Sequence, residues 1–183
     1  MRIVRRFCFV TLLLLVSAVL ARAQVFSSLD VMTSTVMQQH QSSFSGLSAR
    51  VGLRSARIVE GFDFLPYVEY WRNSARIEVL DHTITSIRKD ATLGADARYT
   101  FQREGWRPYL GAGLGIHFLS TEVDAPSLGL VHATDSVIKG GLSALAGITF
   151  PLTKHFDNFM ELKYHHLPGY SQVKLNMGIA WKL

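Results

Sequence analysis

The sequence has a single cysteine among its 183 residues, and that residue, Cys8, lies close to the N-terminus. A disulfide framework needs pairs of cysteines, and a thiolate metal site needs several close together. The rest of the chain can build neither, and it has no cysteine nucleophile. Long apolar runs are also scarce. After the N-terminal segment, no stretch reaches the roughly 18 apolar residues that a membrane helix needs.

The N-terminal segment has the layout of a secretory signal peptide. A basic start over 1–6 precedes an apolar run over 7–20, and an Ala-x-Ala cleavage site follows at 21–23. The apolar run is too short for a comfortable membrane span, although an uncleaved helical anchor is the alternative. We therefore expect a signal peptide at 1–23 and one mature domain over 24–183.

The excess of positive charge falls largely in the expected signal peptide. The whole sequence has a formal net charge of +5 and an isoelectric point near 9.6. Four arginines and no acidic residue lie in 1–23, so the mature chain keeps a net charge of about +1. The basicity of the whole chain therefore gives no support to nucleic-acid binding, and we expect no nucleic-acid partner.

What the mature sequence has in abundance is alternation of apolar residues with small or polar ones. The last eleven residues show it most clearly, with apolar side chains at every second position from Val173 to Leu183. A strand places alternate residues on opposite faces, whereas a helix does not. We expect eight strands in all, of which the first is the weakest. The other alternating segments are 29–37, 47–54, 62–72, 92–101, 109–118, 141–150 and 156–166.

The connections between these segments alternate in length. Counted from a first strand that starts in the periplasm, the short ones are about 57–61, 102–105 and 151–155, and the others are 38–45, 73–90, 120–135 and 167–170. Short periplasmic turns, longer outer loops and an even number of strands are typical of outer-membrane barrels. The predicted fold is all-β: an eight-stranded antiparallel up-and-down transmembrane β-barrel in a bacterial outer membrane.

Aromatic residues fall at the two ends of the predicted strands. Amphipathic rings favour the two interfaces of a bilayer, so this placement is expected of a membrane barrel. The belt at the periplasmic end is predicted to contain Phe62, Phe64, Phe101, Trp106, Phe150, Phe156 and Trp181. The belt at the outer end is predicted to contain Tyr70, Trp71, Phe118, Tyr164 and Tyr170.

A soluble β-sandwich or lipocalin-like barrel is the main alternative, because its strands also alternate. In a soluble barrel the apolar face points inward and the polar face is solvated. Here the face opposite the apolar one carries about seven glycines and isolated charges of both signs, which suits a narrow, filled lumen better. Closure of the sheet also leaves no unpaired edge in lipid. The membrane barrel is therefore favoured.

Three segments carry a family resemblance: Tyr99-Thr-Phe101, the run Arg107-Pro-Tyr-Leu-Gly-Ala-Gly-Leu-Gly-Ile-His-Phe118, and the alternating C-terminal strand. Together they resemble the small OmpA/OmpX-like outer membrane protein beta-barrel domain family over nearly the whole mature chain. Such barrels usually end in an aromatic residue that the assembly machinery reads, whereas this chain ends in Leu183, with Trp181 on the same face. The resemblance implies the fold, a lipid environment and recognition of the C-terminal strand by the barrel assembly machinery. It implies no single activity.

Charged residues recur on the face predicted to line the lumen. Those expected to meet inside a narrow barrel are Arg50, Arg54, Glu69, Asp96, Arg98, Glu161 and Lys163. Buried charges must pair, so we expect a structural network of ion pairs and hydrogen bonds that fills the lumen. The alternative is a polar path for small solutes or ions.

The glycines of 109–117 do not form a nucleotide-binding loop, because they lack the spacing and the following helix that such a loop needs. We expect them to make room for large neighbours such as Tyr67 and Trp71. No cofactor is expected.

His165 and His166 are candidates for a catalytic or metal-binding role. Adjacent residues of a strand point to opposite faces, so the two cannot serve one metal locally, and no metal site is expected. Lipid A deacylases are eight-stranded barrels of about this size, with a membrane-facing His-x-Ser pair and a nearby acid. Here neither histidine has a serine two residues later. Ser171, Glu161 and one of the two histidines form at most an improvised triad, so a membrane hydrolase is a minor alternative.

The outer segment 73–90 itself alternates. It either extends the third and fourth strands as a protruding hairpin or forms a mobile surface loop, and the loop is favoured. An exposed hairpin edge can bind another protein by strand addition. The leading functional hypothesis is a non-enzymatic barrel that is structural or interacts with a protein partner through its outer loops. A narrow channel for small solutes is the alternative.

Overall fold

The computed structural model describes residues 25–38, 43–54, 60–79, 82–101, 105–125 and 130–183. The expected signal peptide at 1–23 lies outside the described residues. Among the residues described, no helix is long and apolar enough to cross a membrane.

Eight strands make up the described part of the chain. They are β1 (Val25–Gln38), β2 (Phe44–Arg54), β3 (Phe62–Val79), β4 (His82–Thr100), β5 (Arg107–Ala125), β6 (Leu130–Pro151), β7 (Phe156–Leu167) and β8 (Tyr170–Lys182). Each pairs antiparallel with the next, and β8 pairs with β1, so the sheet closes. The predicted eight-stranded antiparallel barrel is confirmed, including its weakest element, because β1 is 14 residues long.

Alternate residues of each strand face the lumen and the outside, as a period of two requires. On β7, Glu161 and Lys163 are buried, whereas Met160, Leu162 and Tyr164 are exposed. Large exposed apolar side chains occur on all eight strands. The molecule is therefore apolar outside and polar inside, which is the arrangement of a barrel surrounded by lipid.

The register of β3 to β6 aligns their outward side chains in rows across the sheet. One row contains Tyr70, Ala91, Phe118 and Ile138, since each lies opposite the next. We call it the outer aromatic row. From position 91 to position 101 of the chain, the outward side chains span about 25 Å of barrel height at the usual rise and tilt. That distance matches the apolar band of a membrane barrel.

β3 to β6 continue beyond the outer aromatic row as paired strands. The register of β3 and β4 runs from Phe62 opposite Tyr99 to Val79 opposite His82, and that of β5 and β6 reaches Ala125 opposite Leu130. The protruding hairpin, the less favoured interpretation of 73–90, is therefore the one observed. Most of the loop expected at 120–135 is also strand. Frequent Ile, Val and Thr residues explain this, because β-branched side chains favour strands.

These extensions form a four-stranded antiparallel sheet, here called the outer sheet (72–79, 82–90, 119–125 and 130–137). Among the described residues, β2 pairs with β3 only up to Gly46 opposite Trp71. Likewise, β7 pairs with β6 only up to His166 opposite Leu142. Among the described strands, the outer sheet therefore has two edges, 74–79 of β3 and 130–137 of β6, each with a paired strand on one side.

Candidate functional site in the lumen and the outer sheet

Arg50 of β2 lies in the middle of the lumen and binds carboxylates from two other strands. Its Nε donates to Oδ2 of Asp30 at 2.7 Å, and its Nη1 donates to Oε2 of Glu161 at 2.7 Å. Glu161 also accepts hydrogen bonds from the Tyr109 hydroxyl at 3.1 Å and from Nδ2 of Asn176 at 2.9 Å. All five side chains are buried. Hydrogen bonds to several partners are what make buried charges tolerable.

Two further buried ion pairs lie beside this cluster. Nζ of Lys163 donates to Oδ2 of Asp96 at 2.6 Å, and it lies 3.7 Å from the centre of the Tyr67 ring. Lys174 forms an ion pair with Glu69. A cation that contacts both a carboxylate and an aromatic face is held from two directions.

The principal ion pairs cross the lumen rather than linking neighbouring strands. The crossing pairs join β2 to β7, β7 to β4 and β8 to β3, and they are Arg50–Glu161, Lys163–Asp96 and Lys174–Glu69. In a ring of eight strands, directly opposite strands are four positions apart, and the two strands of each crossing pair are three positions apart. In the cavity that remains among them, the centre of a water molecule can occupy a volume of about 10 Å³. This is room for roughly one water molecule. The described side chains therefore leave little space at this level of the lumen.

Arg54 and Arg98 lie nearer the periplasmic end and form a cluster of their own. Nε of Arg54 donates to Oδ1 of Asp63 at 3.0 Å, and Nη2 of Arg98 donates to Oδ2 of Asp63 at 3.1 Å. The side chain of Arg54 is 60% exposed, so it lies at the mouth of the barrel. The seven predicted lumen charges are thus divided between a central set of five and this end cluster. Asp157 makes a similar end contact, with Arg107 at 2.5 Å.

A histidine cluster lies toward the outer end of the lumen. Nδ1 of His117 is 2.8 Å from Oδ2 of Asp90, and Nε2 of His117 is 3.3 Å from Nδ1 of His165. If the Nδ1–H of His117 donates its hydrogen bond to Asp90, Nε2 of the same ring is placed to accept one from the Nδ1–H of His165. His165 is buried and His166 is exposed, on opposite faces as expected. Among the residues described, no group of three His, Cys, Asp or Glu side chains is placed to hold a metal ion.

Several lumen residues were missed by the sequence analysis, although the signal for them was available. The residues missed are Asp30, Asp63, Asp90, His117, Asp157, Lys174 and Asn176. Lys174 and Asn176 alternate with apolar residues in the C-terminal strand, the criterion that selected Lys163. Asp30 lay in the weakest predicted strand, where apolar residues fall on both faces: Met32 and Val36 share the inward face with Asp30.

The structure places most of the predicted aromatic residues outward at the two ends of the barrel. At the periplasmic end, the Trp106 and Phe150 rings stack with centres 5.6 Å apart, and those of Phe156 and Trp181 stack at 6.5 Å. The other predicted residues on outward-facing positions are Phe62, Phe64 and Phe101 at this end and Tyr70, Phe118 and Tyr164 at the outer end. The side chain of Tyr170 lies outside the described residues.

Trp71 is a correction to the predicted outer belt. Its side chain is 1% exposed and faces the lumen, where its ring centre lies 4.6 Å from that of Phe44. Tyr70 is outward, and adjacent strand residues cannot share a face, so Trp71 must point inward. The glycine beside it is Gly46, since a Cβ added there lies 3.0 Å from the Trp71 Cβ. The expectation that the glycines of 109–117 make room for Trp71 was therefore wrong.

Tyr67 does occupy space that glycines leave open. A Cβ added at Gly115 lies 2.9 Å from the Tyr67 hydroxyl, and one added at Gly94 of β4 lies 2.5 Å from Cζ of Tyr67. Side chains at these two positions collide with the ring. The glycine face therefore serves packing of the lumen.

The improvised hydrolase triad is assembled only in part. Nδ1 of His166 lies 3.2 Å from Oγ of Ser171 across the short β7–β8 turn, on the outward face. Glu161 faces the lumen, where it binds Arg50, and so lies on the other side of the sheet. A triad needs an acid that orients the histidine, and Glu161 cannot supply it from there.

A closed eight-stranded sheet that is apolar outside and polar inside defines a small outer-membrane β-barrel protein. The sequence profile of the Opacity family porin proteins matches residues 52–181, well over half of the chain. The chain belongs to this family and is located in the outer membrane. A comparison with curated proteins gave no match.

Solved structures of other small barrels are similar to this chain. Neisserial surface protein A (NspA) is 21% identical with a TM-score of 0.55, over 86% of this chain and 96% of that one. Ail, the attachment invasion locus protein of Yersinia pestis, in complex with the heparin analogue sucrose octasulfate, is 14% identical with a TM-score of 0.58, over 88% and 99%. A major outer membrane protein from Thermus thermophilus is 13% identical with a TM-score of 0.67, over 86% and 99%. These likenesses support the fold.

Proposed function

We propose that this protein is a non-enzymatic surface barrel with a closed lumen, and that its outer sheet binds an extended segment of a partner protein by strand addition. The observation that carries the proposal is the paired continuation of β3 to β6 beyond the outer aromatic row, with an edge on either side that none of the described strands covers. In strand addition, main-chain hydrogen bonds supply affinity and alternate side chains supply specificity.

The packing of the lumen favours this function over transport. Three buried ion pairs cross it, and the cavity among them holds about one water molecule. An eight-stranded barrel has room for little beyond its own side chains. The hydrolase alternative lacks support because the carboxylate of Glu161 lies on the opposite face from His166 and Ser171.

Of the two edges, that of β6 suits an added strand better. Edge strands are usually protected by charges or proline. Over its six residues, 74–79, the β3 edge carries two charges, Arg76 and Glu78, and Arg76 is exposed. Over 133–137, β6 carries a single charge, Asp135, and its Val137 side chain is 44% exposed. The β6 edge is also the longer, so it offers more backbone hydrogen bonds.

Peptide selection tests this function directly. Phage-displayed twelve-residue peptides are selected against the barrel in nanodiscs, and a selected peptide is then remade with alternate backbone amides methylated. Strand addition predicts that methylation weakens binding by about tenfold or more, because several main-chain hydrogen bonds are lost at once. Equal binding of the two forms would exclude strand addition.

Proline substitutions locate the binding edge. Ser136→Pro and Val137→Pro are neighbouring changes, so one removes an amide that points away from β5 and the other an amide bonded to β5. Hydrogen exchange identifies the variant in which the β5 amides stay protected, because the amide lost in that variant points away from β5. That variant should lose peptide binding. Ser74→Pro on the β3 edge is the matched control and should leave binding unchanged. If Ser74→Pro abolishes binding and neither β6 variant does, the β6 assignment is wrong.

A further inference from the structure

A row of polar side chains lies directly above the outer aromatic row. Arg72 is opposite Lys89, Lys89 is opposite Ser120, and Ser120 is opposite Ser136. Each is two residues beyond a member of the outer aromatic row on its own strand, so all four face outward. Two cations and two hydroxyl groups therefore share one level of the barrel surface.

The pairing of Arg72 with Lys89 is unfavourable unless an anion lies near both. Like charges directly opposite each other on a sheet repel. Lys89 is partly neutralised, because its Nζ donates to Oε1 of Glu122 at 2.5 Å, with both side chains about one third exposed. Arg72 is exposed on the same face. Net positive charge thus remains at this level.

The level of this row is that of lipid headgroups. Tyr70 and Phe118, 47% and 46% exposed, lie immediately below it, and aromatic side chains mark the interface between the apolar band and the headgroups. Ala91 lies between the two rings in the outer aromatic row. Its small side chain leaves a shallow groove between the rings that an acyl chain can follow.

We propose that Arg72, Lys89, Ser120 and Ser136 bind a phosphate group of the phosphorylated glycolipid of the outer leaflet. A guanidinium group binds two phosphate oxygens at once, and an ammonium group adds a point charge. The two serine hydroxyls can donate to the remaining oxygens. The acyl chains of the same lipid lie against Tyr70 and Phe118. The site shares Ser136 with the β6 edge, but it uses the outward-facing side chains and not the edge backbone, so it does not depend on strand addition.

Lipid binding by variants tests the site. The barrel is placed in phosphatidylcholine nanodiscs with bisphosphorylated lipid A, and lipid A retention is measured by native mass spectrometry. The double variant Arg72→Ser, Lys89→Ser should retain lipid A about tenfold less well, since charge-assisted hydrogen bonds to the phosphate are lost. Arg76→Ser, on the same strand and face but farther from the membrane, is the matched control and should behave like the parent. Heat-modifiability on a gel verifies that every variant is folded.

Two further lipids identify what is recognised. Lipid A without its phosphates should bind the parent protein as weakly as bisphosphorylated lipid A binds the double variant. Phosphatidylglycerol at equal concentration should not displace bisphosphorylated lipid A. Unchanged retention by the double variant overturns the site, and displacement by phosphatidylglycerol overturns the assignment to the glycolipid.

Discussion

At the scale of single residues, Arg50 shows how a barrel this narrow accommodates charge. The guanidinium group donates in two directions from one planar fork, to Asp30 on β1 and to Glu161 on β7. The Cζ atom of Arg50 also lies 4.6 Å from the centre of the Phe159 ring. A lysine offers a single point of charge and cannot bond both carboxylates with the same geometry.

Replacement of Arg50 by methionine should therefore destabilise the barrel strongly. The change leaves Asp30 and Glu161 buried without their cation, and breaking a buried pair in this way costs about 3–5 kcal/mol. Urea unfolding of the barrel in detergent, followed by tryptophan fluorescence, measures the loss in the free energy of unfolding.

Two controls accompany this substitution. Arg54→Met removes a cation that is 60% exposed, and it should change the free energy of unfolding by no more than about 1 kcal/mol. Combining Arg50→Met with Asp30→Leu and Glu161→Leu should recover much of the lost stability, because apolar side chains can replace a buried ionic cluster. If Arg50→Met and Arg54→Met cost the same, the central role of Arg50 is refuted.

At the scale of the element, the same four strands serve two environments. Below the outer aromatic row, β3 to β6 belong to the closed barrel, and every strand has two paired neighbours. Above it, the outer sheet continues the register of β3 with β4 and of β4 with β5, but the pairing with β2 and β7 stops. Each strand is thus continuous, but β3 and β6 change from strands within the barrel wall to exposed edge strands.

Hydrogen exchange should reveal this change along a strand. In the outer sheet, residues 85–90 of β4 are paired with strands on both sides, and their amides should exchange slowly. About half of the amides over 74–79 and 130–137 point away from their one paired neighbour and should exchange quickly. Exchange measured by NMR in detergent micelles distinguishes these sets. Fast exchange throughout 85–90 would mean that the outer sheet is not formed in solution.

At the scale of the whole molecule, the described interior of the barrel contains ion pairs that cross it, and the exterior is an apolar surface. This inverts the arrangement of a water-soluble β-barrel, and it follows from alternation alone once the surrounding solvent is lipid. Buried apolar side chains such as Met32, Leu65 and Phe159 lie among the crossing ion pairs, so both charge pairing and apolar packing contribute to the stability of the lumen.

Conductance provides the test at this scale. The parent barrel in a planar bilayer should show no steady current at any voltage, because the crossing ion pairs occupy its lumen. The triple variant Arg50→Ser, Lys163→Ser, Lys174→Ser shortens the three cations that cross and leaves carboxylates along the lumen, so a small cation-selective current is expected. Heat-modifiability verifies folding of both proteins. A steady current through the parent barrel would contradict a closed lumen.

The extent to which sequence predicted structure also differs by scale. The barrel was predictable because a period of two separates the faces of every strand, and Glu69, Glu161 and Lys163 were placed in the lumen by the same rule. The pairing of these charges across the lumen was not predictable, because it depends on the stagger of strands around the barrel. The outer sheet was underestimated since polar alternating segments resemble loops in composition. Trp71 was misplaced because it was assigned by its type and not by its position next to Tyr70.

The seam between β1 and β8 imposes an order on folding. Its register joins Ser28 to Lys182, at opposite ends of the described chain, and the bond from Arg50 to Glu161 spans 111 positions. Contacts of such high contact order form late, after a large loss of chain entropy. Before closure, β1 and β8 are open edges, which lipid does not tolerate. Insertion and closure are therefore expected to occur together. The central ion pairs form only on closure, and they must break before the barrel can open again.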